Sequence, residues 1–174
     1  MIRLVLAALA VVLAVPVSAG FAAQKAAVFP FELVVPPKEE DFFIGASPPN
    51  TAELNRLKLA YDEFTKLLTA GGGYETVDLA PVAALIEAKS PIHECKGCEI
   101  DLARQVGADV AYIVVMEKAS DTMLNMHVWE VDVGRAGVVR TATAVVQGNT
   151  DDAWLGCVRW IVKNRLLSKK EAAP

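Results

Sequence analysis

Apolar residues occur along the chain in separate runs, and the spacing within each run predicts a strand or a helix. The run 109–117 is apolar at every position between its acidic ends, which is typical of a central strand covered on both faces. The run 122–132 alternates instead, and this pattern predicts a strand with one core face and one partly hydrated face. The core face carries Leu124, Met126 and Val128, and the other face carries Asn125, His127 and Trp129.

Three more runs predict strands at 25–35, 74–79 and 138–147. Pro30 interrupts the first of these. Because proline cannot donate to a sheet ladder, it predicts a bulge or a sheet edge at that point. The residues 134–137 begin and end with glycine, and they predict the hairpin turn between the last two strands.

Helices are predicted where apolar residues recur at steps of three and four. The first begins at Asn50, with Glu53 at the spacing of a capping box, and ends at the glycine triplet 71–73. Its predicted apolar stripe is Leu54, Leu57, Tyr61, Phe64 and Leu68. A second helix follows Asp78, with Val82, Ala83, Leu85 and Ile86 on its buried side.

A two-turn helix is predicted at 99–106, and a last helix begins after the capping residues 148–152. The predicted buried side of the last helix is Trp154, Leu155, Val158, Ile161, Val162 and Leu166. The element order is therefore β-α-β-α-α-β-β-β-α. The early strand–helix–strand crossovers predict parallel strands, and the three later strands predict an antiparallel meander. We expect an α/β (α+β) fold with a mixed sheet of about five strands.

The first 19 residues have the pattern of a secretory signal peptide. Arg3 is their one charged residue, an apolar run extends to Val15, and the small residues Ser18 and Ala19 follow. We expect cleavage after Ala19, with Ala23 as the alternative site. The apolar run is shorter than the roughly 20 residues of a spanning helix, so no stable membrane insertion is expected after cleavage.

Cleavage after Ala19 would leave a single periplasmic domain, residues 20–174, with a flexible tail from about residue 168. Loss of Arg3 reduces the 17 basic residues to 16 against 21 acidic ones, which gives a net charge of −5. A chain this acidic lacks the basic surface by which proteins bind nucleic acid, so no nucleic-acid partner is expected.

Cys95 and Cys98 form a Cys-x-x-Cys pair, the most distinctive chemical feature of the chain. Glu99 stands where a haem-attachment motif has histidine, so that chemistry is excluded. In an exported protein the pair favours a small disulfide that joins the loop to the next helix. A thiol-redox site is an alternative, because a helix terminus, Lys96 and a charged His93 would each lower a thiol pKa.

A metal site is the other alternative for this region. Its ligands would be His93, Cys95 and Cys98, with Cys157 or His127 as the fourth. Cys157 by itself is predicted to be a buried free cysteine, because cysteine packs as a small apolar residue. No cofactor is predicted.

A candidate face for a ligand or partner protein is formed by Asn125, His127 and Trp129. Trp160, which points away from the apolar stripe of the last helix, is a further candidate. The sequence places no serine or carboxylate beside His127 to complete a triad. No catalytic residue is therefore predicted, and a hydrolase that uses His127 is the least favoured hypothesis.

Several short motifs together resemble an exported bacterial family known only as a domain of unknown function. They are Ala27–Glu32 (AVFPFE), Val77–Val82 (VDLAPV), Cys95–Glu99 (CKGCE), Arg104–Asp109 (RQVGAD) and Gly148–Asp151 (GNTD). More distantly, the chain is similar to the N-terminal domain of TolB and to CsgG-like domains. They share the first-strand motif, a helix that ends in Gly-Ala-Asp before the central strand, and a similar hairpin turn.

The resemblance implies a mixed α/β domain in the periplasm with a binding or scaffolding role, and it implies no catalytic residues. The leading hypothesis is therefore a non-enzymatic accessory protein whose partner is another periplasmic or envelope protein. The alternative hypothesis is a thiol-redox or metal-handling protein centred on Cys95 and Cys98.

Overall fold

The computed structural model describes residues 23–36 and 47–168, so the predicted signal peptide and nearly all of the predicted tail lie outside the described residues. The strands of these ranges are β1 (Gln24–Val28), β2 (Glu32–Val34), β3 (Tyr74–Thr76), β4 (Val110–Lys118), β5 (Met123–Asp132) and β6 (Gly137–Gln147). The α-helices are α1 (Thr51–Ala70), α2 (Ala83–Lys89), α3 (Cys98–Gln105) and α4 (Asp151–Ile161). A π-helical turn, Val162–Leu166, continues α4, and two 3₁₀ turns lie at Ala80–Val82 and Ile92–Glu94.

The strands form one mixed sheet in the order β3-β1-β4-β5-β6, and β2 also pairs with β4. The strand β1 pairs in parallel with β3 and β4, and β2 pairs in parallel with β4, whereas β4, β5 and β6 form an antiparallel meander. Val28 of β1 lies opposite Tyr112, and Glu32 of β2 lies opposite Val115. The chain between Val28 and Glu32 therefore contains one residue more than the facing part of β4. The predicted fold class and the predicted irregularity at Pro30 are both confirmed.

Helices cover the two faces of the sheet in separate pairs. On one face, which we call the covered face, α1 and α4 enclose the larger core. On the other face, α2 and α3 enclose a smaller core over β1 and the first half of β4. A chain of edge-to-face aromatic contacts, with centroid distances of 5.4–5.6 Å, links Phe31, Phe64, Tyr112 and Tyr74 in the larger core.

The start of α1 is fixed by the predicted capping box. Asn50 Oδ1 accepts a hydrogen bond from the Glu53 N–H at 3.0 Å, and Glu53 Oε2 accepts one from the Asn50 N–H at 2.9 Å. Glu53 is also fully buried, and its Oε1 atom lies 2.8 Å from Lys118 Nζ in an ion pair that the sequence did not predict. Lys118 additionally contacts Asp121 Oδ1 at 3.0 Å and donates to the Ser47 carbonyl at 3.0 Å.

The ion pair controls the charge state of Glu53. Burial alone would raise the pKa of this carboxyl, but hydrogen bonds from Lys118, Asn50 and Asn149, together with the charge of Lys118, bring the pKa below its ordinary value. The Asn149 amide donates to Glu53 Oε1 at 2.5 Å, so the pair also ties the start of α4 to the start of α1. Glu53 and Lys118 are therefore a paired, hydrogen-bonded charge cluster within the core.

Three residues of the predicted helix stripes are exposed, namely Leu54, Ala83 and Leu85. Leu54 is 53% exposed, because Glu53 turns inward to Lys118 and Leu54 lies about 100° further around the helix. Leu85 is exposed because α2 faces the sheet with Val82 and Ile86, which are four residues apart. None of the described helices is both long enough and apolar enough to cross a lipid bilayer.

Candidate binding site on the open face of the sheet

The helices α2 and α3 leave the β5–β6 half of their side of the sheet uncovered, and we call this surface the open face. Its members are Glu117, Asn125, His127, Trp129, Thr141, Thr143 and Val145, all of which are exposed or partly exposed. Cross-strand pairing sets their positions, since His127 lies between Val115 and Thr143, and Trp129 lies between Ile113 and Thr141. The predicted face residues Asn125, His127 and Trp129 are therefore brought together.

The Cys95–Cys98 turn borders the open face and is anchored by Glu32 of β2. The Ile92 N–H donates to Glu32 Oε1, and the His93 N–H donates to Glu32 Oε2 at 3.2 Å. The ring Nδ1 of His93 lies 2.5 Å from the same Oε2 atom. This role of Glu32 was not predicted from the sequence. The one indication of it in the sequence was the position of Glu32, an acidic residue at the end of the otherwise apolar motif Ala27–Glu32.

Within the turn, the two sulfur atoms of Cys95 and Cys98 lie 1.99 Å apart and the two Cα atoms 5.5 Å apart. The side chains are thus placed for the predicted disulfide. Lys96 and Gly97 have φ values of 56° and 110°, in the left-handed region. Glu99 Oε2 accepts the Gly97 N–H at 3.0 Å and lies 3.3 Å from Cys95 Sγ.

The metal hypothesis involves a different set of side chains from the one that the structure gathers. Cys95, Cys98 and Glu99 lie close enough together to share an ion, whereas the ring Nδ1 of His93 is directed to Glu32. Both cysteines would have to be thiolates, so metal binding and a disulfide exclude each other. The disulfide therefore stays the predicted state of the pair, and the metal site stays its alternative.

Cys157 cannot complete a metal site with this pair, because it packs in the core of the covered face, with its Sγ 3.8 Å from Met126 Sδ. The prediction of a buried free cysteine is confirmed. Burial raises the pKa of its thiol to about 11, which keeps the sulfur protonated and unreactive at neutral pH.

A cavity of about 260 Å³ lies between the Cys95–Cys98 turn and the open face. Its floor is apolar and consists of Ile92, Ile113, Trp129, Val131 and Val138. Its rim is polar and consists of His93, Lys96 and Glu99. An apolar floor under a few convergent polar groups is the usual composition of a binding site.

His127 has partners that the sequence analysis did not identify. Its Nε2 lies 3.0 Å from Glu117 Oε2, and its Nδ1 lies 3.2 Å from Thr143 Oγ1. Its ring stacks on Trp129, with centroids 5.9 Å apart and planes 20° apart. Glu117 and Thr143 belong to the two neighbouring strands, so only the strand register brings them to His127.

The order of groups at His127 is carboxylate, imidazole and hydroxyl, which is the order in a hydrolase triad. Such a triad also needs N–H donors that point at the developing oxyanion. Thr143 lies in the interior of β6, where backbone N–H groups point within the plane of the sheet and not toward its face. The arrangement is therefore suited to hydrogen bonding and aromatic stacking with a bound group.

Trp160 lies apart from the other predicted face residues. It is 45% exposed on α4, with the Arg165 guanidinium 5.3 Å from its ring centre. It borders a groove at the outer edge of β6, which residues of both faces line, namely Thr143, Ala144, Val145 and Cys157.

A family model for DUF3280, described as a protein of unknown function (DUF2380), matches residues 24–166. No curated protein matches the chain. The sequence-based resemblance to a domain-of-unknown-function family is thereby confirmed.

Among solved structures, the chain is similar to lipoprotein GNA1162 from Neisseria meningitidis, with 15% identity, a TM-score of 0.50 and coverage of 84% of this chain and 99% of that chain. It is similar to LpoB from E. coli, with 10% identity, a TM-score of 0.50 and coverage of 74% and 58%. TolB from Acinetobacter baumannii matches with 12% identity, a TM-score of 0.45 and coverage of 82% and 28%. At these identities the likeness to GNA1162 and LpoB concerns the fold.

Proposed function

The chain belongs to the DUF3280 family, whose function is unknown, and we propose that it is an exported accessory protein of the bacterial cell envelope. In this proposal it acts by binding another envelope protein and not by catalysis. The binding surface is the open face, and the cavity beside the Cys95–Cys98 turn receives an anchoring side chain of the partner.

The cavity is the observation that carries the proposal. Trp129 is half of an aromatic pair on an uncovered sheet surface, and it also forms part of the apolar floor. Partly exposed aromatic residues at the edge of an apolar pocket are the residue type that dominates protein interfaces. The rim supplies both charges, Lys96 and Glu99, which would orient a polar segment on either side of the anchor.

The size of the cavity favours a protein partner over a free small molecule. Pockets that enclose drug-sized ligands measure about 300–1,000 Å³, and this cavity holds about 260 Å³. It therefore accommodates one large side chain, while the flat strand surface around His127 provides the remaining contact area. A partner with an apolar or aromatic residue in an extended segment fits this shape.

Export to the envelope is supported by the signal-peptide pattern and by the cysteine pair, because disulfides persist in oxidising compartments. One fold neighbour, GNA1162, is described as a lipoprotein, which is consistent with an envelope location. In this proposal the disulfide is a brace that fixes the rim of the cavity. Amino-terminal sequencing of the processed protein should begin at Gly20, and detection of Met1 would contradict export with cleavage.

Co-purification from envelope extracts after mild cross-linking tests the binding surface. We expect Trp129→Ala to reduce the recovered partner by about tenfold, since removing an aromatic hot-spot residue costs about 1–2 kcal/mol or more. Trp160→Ala is the matched control, because it removes an exposed tryptophan outside the open face. Unchanged recovery with Trp129→Ala, or equal loss with both variants, would contradict the proposal.

A further inference from the structure

The outer edge of β6 has no partner strand among residues 23–36 and 47–168. The strand is 11 residues long and contains neither lysine nor proline, two of the usual protective residues of an edge. A β-bulge at Val139 interrupts its pairing with β5, and the stretch from Arg140 to Gln147 is regular. Two of its valines, Val138 and Val145, are 57% and 55% exposed. A long edge of this kind is a template for adding another strand.

The backbone groups that face this edge can be identified from the ladder. The Gly148 N–H donates to the Thr122 carbonyl at 2.8 Å across the β5–β6 pair. Because hydrogen-bonding direction alternates along an antiparallel strand, the even-numbered residues of β6 bond to β5. The N–H and C=O groups of Thr141, Thr143 and Val145 therefore point to the free edge.

The sequence of β6 is nearly a palindrome around Ala142. Residues 138–146 read Val-Val-Arg-Thr-Ala-Thr-Ala-Val-Val. Reading outward from Ala142, threonine matches threonine and both terminal valine pairs match. The one mismatch is Arg140 against Ala144. A strand of this type is self-complementary when a second copy runs antiparallel to it.

We propose that two copies of the protein pair through their β6 edges, with Ala142 on the two-fold axis, so that their sheets become continuous. In this register Thr141 of one copy lies opposite Thr143 of the other. Both residues direct their backbone groups to the free edge and point to the same face of the sheet, as an antiparallel pair requires. The two open faces then lie side by side.

The strand that pairs with the free edge belongs to a second copy of the protein, because a nearly palindromic strand is complementary to an identical strand that runs antiparallel to it. The one charge of the strand does not oppose this pairing, since Arg140 is directed into its own fold. Its Nε lies 3.2 Å from Glu130 Oε2, and its Nη1 donates to the Arg165 carbonyl at 3.1 Å. The groove beside Ala144 and the half-exposed Trp160 would be covered in the dimer.

Charge pairs test the dimer and its register. Sedimentation of the purified processed protein should give twice the chain mass. Thr141→Lys with Thr143→Lys puts like charges opposite each other and should raise the dissociation constant by about tenfold or more. Thr141→Lys with Thr143→Glu is the matched control, and it should restore the dimer.

An all-Glu variant, Thr141→Glu with Thr143→Glu, should be monomeric alone and should form a heterodimer when mixed with the all-Lys variant. A monomeric wild-type protein at every concentration, open-ended polymers, or equal dissociation of the Lys–Lys and Lys–Glu variants would overturn the proposal. Circular dichroism checks that the variants fold, as expected for exposed positions.

Hydrogen exchange of the unmutated protein provides a test that needs no variant. The amides of Thr141, Thr143 and Val145 should exchange slowly in concentrated protein and quickly on dilution. Fast exchange at all concentrations would overturn the dimer. This proposal is independent of partner binding, because Trp129→Ala should leave the dimer intact.

Discussion

The two faces of the sheet use the same strands and differ in what covers them. Under α1 and α4, alternate residues of β5 such as Leu124, Met126 and Val128 are completely buried. On the other face of the same strand, Asn125, His127 and Trp129 remain partly exposed, because α2 and α3 stop over β4. Under the helices the Glu53–Lys118 ion pair is buried in the core, whereas the polar groups on the open face contact each other at the surface.

This difference separates stability from recognition. An exposed network such as Glu117–His127–Thr143 contributes little to folding, since surface ion pairs are typically worth 0–1 kcal/mol. The buried Glu53–Lys118 pair is far more sensitive, because removal of one partner leaves the other charge buried. We therefore expect substitutions on the covered face to unfold the protein and substitutions on the open face to change binding.

The largest contrast is expected between two tryptophans. Trp154 is buried, and its Nε1 donates to Asn149 Oδ1 at 3.1 Å, so Trp154→Ala should cost about 3–5 kcal/mol of unfolding free energy. Trp129→Ala on the open face should cost about 1 kcal/mol or less. Urea denaturation of the two variants checks this, and equal losses would contradict the separation of the faces.

Breaking the buried ion pair should also be costly. Lys118→Met leaves the Glu53 carboxylate buried without its cation and should lower stability by about 3–5 kcal/mol. Combining it with Glu53→Gln removes the unpaired charge and should recover part of that loss. The pair would be shown to be unimportant if the single variant unfolded at the wild-type urea concentration.

The same cluster predicts sensitivity to acid. The pKa of Glu53 is below its ordinary value of 4.5, and hydrogen bonds from the Ser47 N–H and from Lys118 lower the pKa of Asp121 to about 2. Carboxyls with depressed pKa values stabilise the fold above their unfolded pKa, and this contribution is lost as pH falls. Stability should therefore decline from about pH 4.5 toward pH 2, and a flatter decline is expected in Lys118→Met.

A smaller effect is expected at the rim of the cavity. Replacing Cys95 and Cys98 together with serine should cost roughly 2 kcal/mol, because the loop that the bond closes is very short. Thiol titration of the unfolded wild-type protein should find one free thiol, that of Cys157. Three titratable thiols, or stoichiometric zinc in the purified protein, would contradict the disulfide.

Local patterns predicted most of the fold. The capping box at Asn50, the doubly covered strand β4 and the meander β4–β6 all follow from spacing within short segments. The contacts that the sequence analysis missed join distant segments. Lys118 meets Glu53 across 65 positions, and Glu32 meets His93 across 61. Such pairs depend on which elements become neighbours, and no single segment encodes that information.

In the candidate site, too, the local pattern was predicted and the contacts between distant segments were not. Alternation in 122–132 identified Asn125, His127 and Trp129 as one face. The cavity needed the tertiary fold, because its floor comes from three strands and its rim from the turn that Glu32 holds. Trp160 was correctly expected to point away from the apolar stripe of its helix, but the structure places it on the other side of β6.

Site-specific photo-cross-linking in intact cells most directly tests whether the open face is the recognition surface. A photoreactive residue at Val138, an exposed residue of the cavity floor, is compared with one at Lys66, whose side chain is 76% exposed on α1. We expect an adduct with a different protein at Val138, its loss with Trp129→Ala, and no adduct at Lys66. Equal adducts at both positions, or none at Val138, would contradict the account.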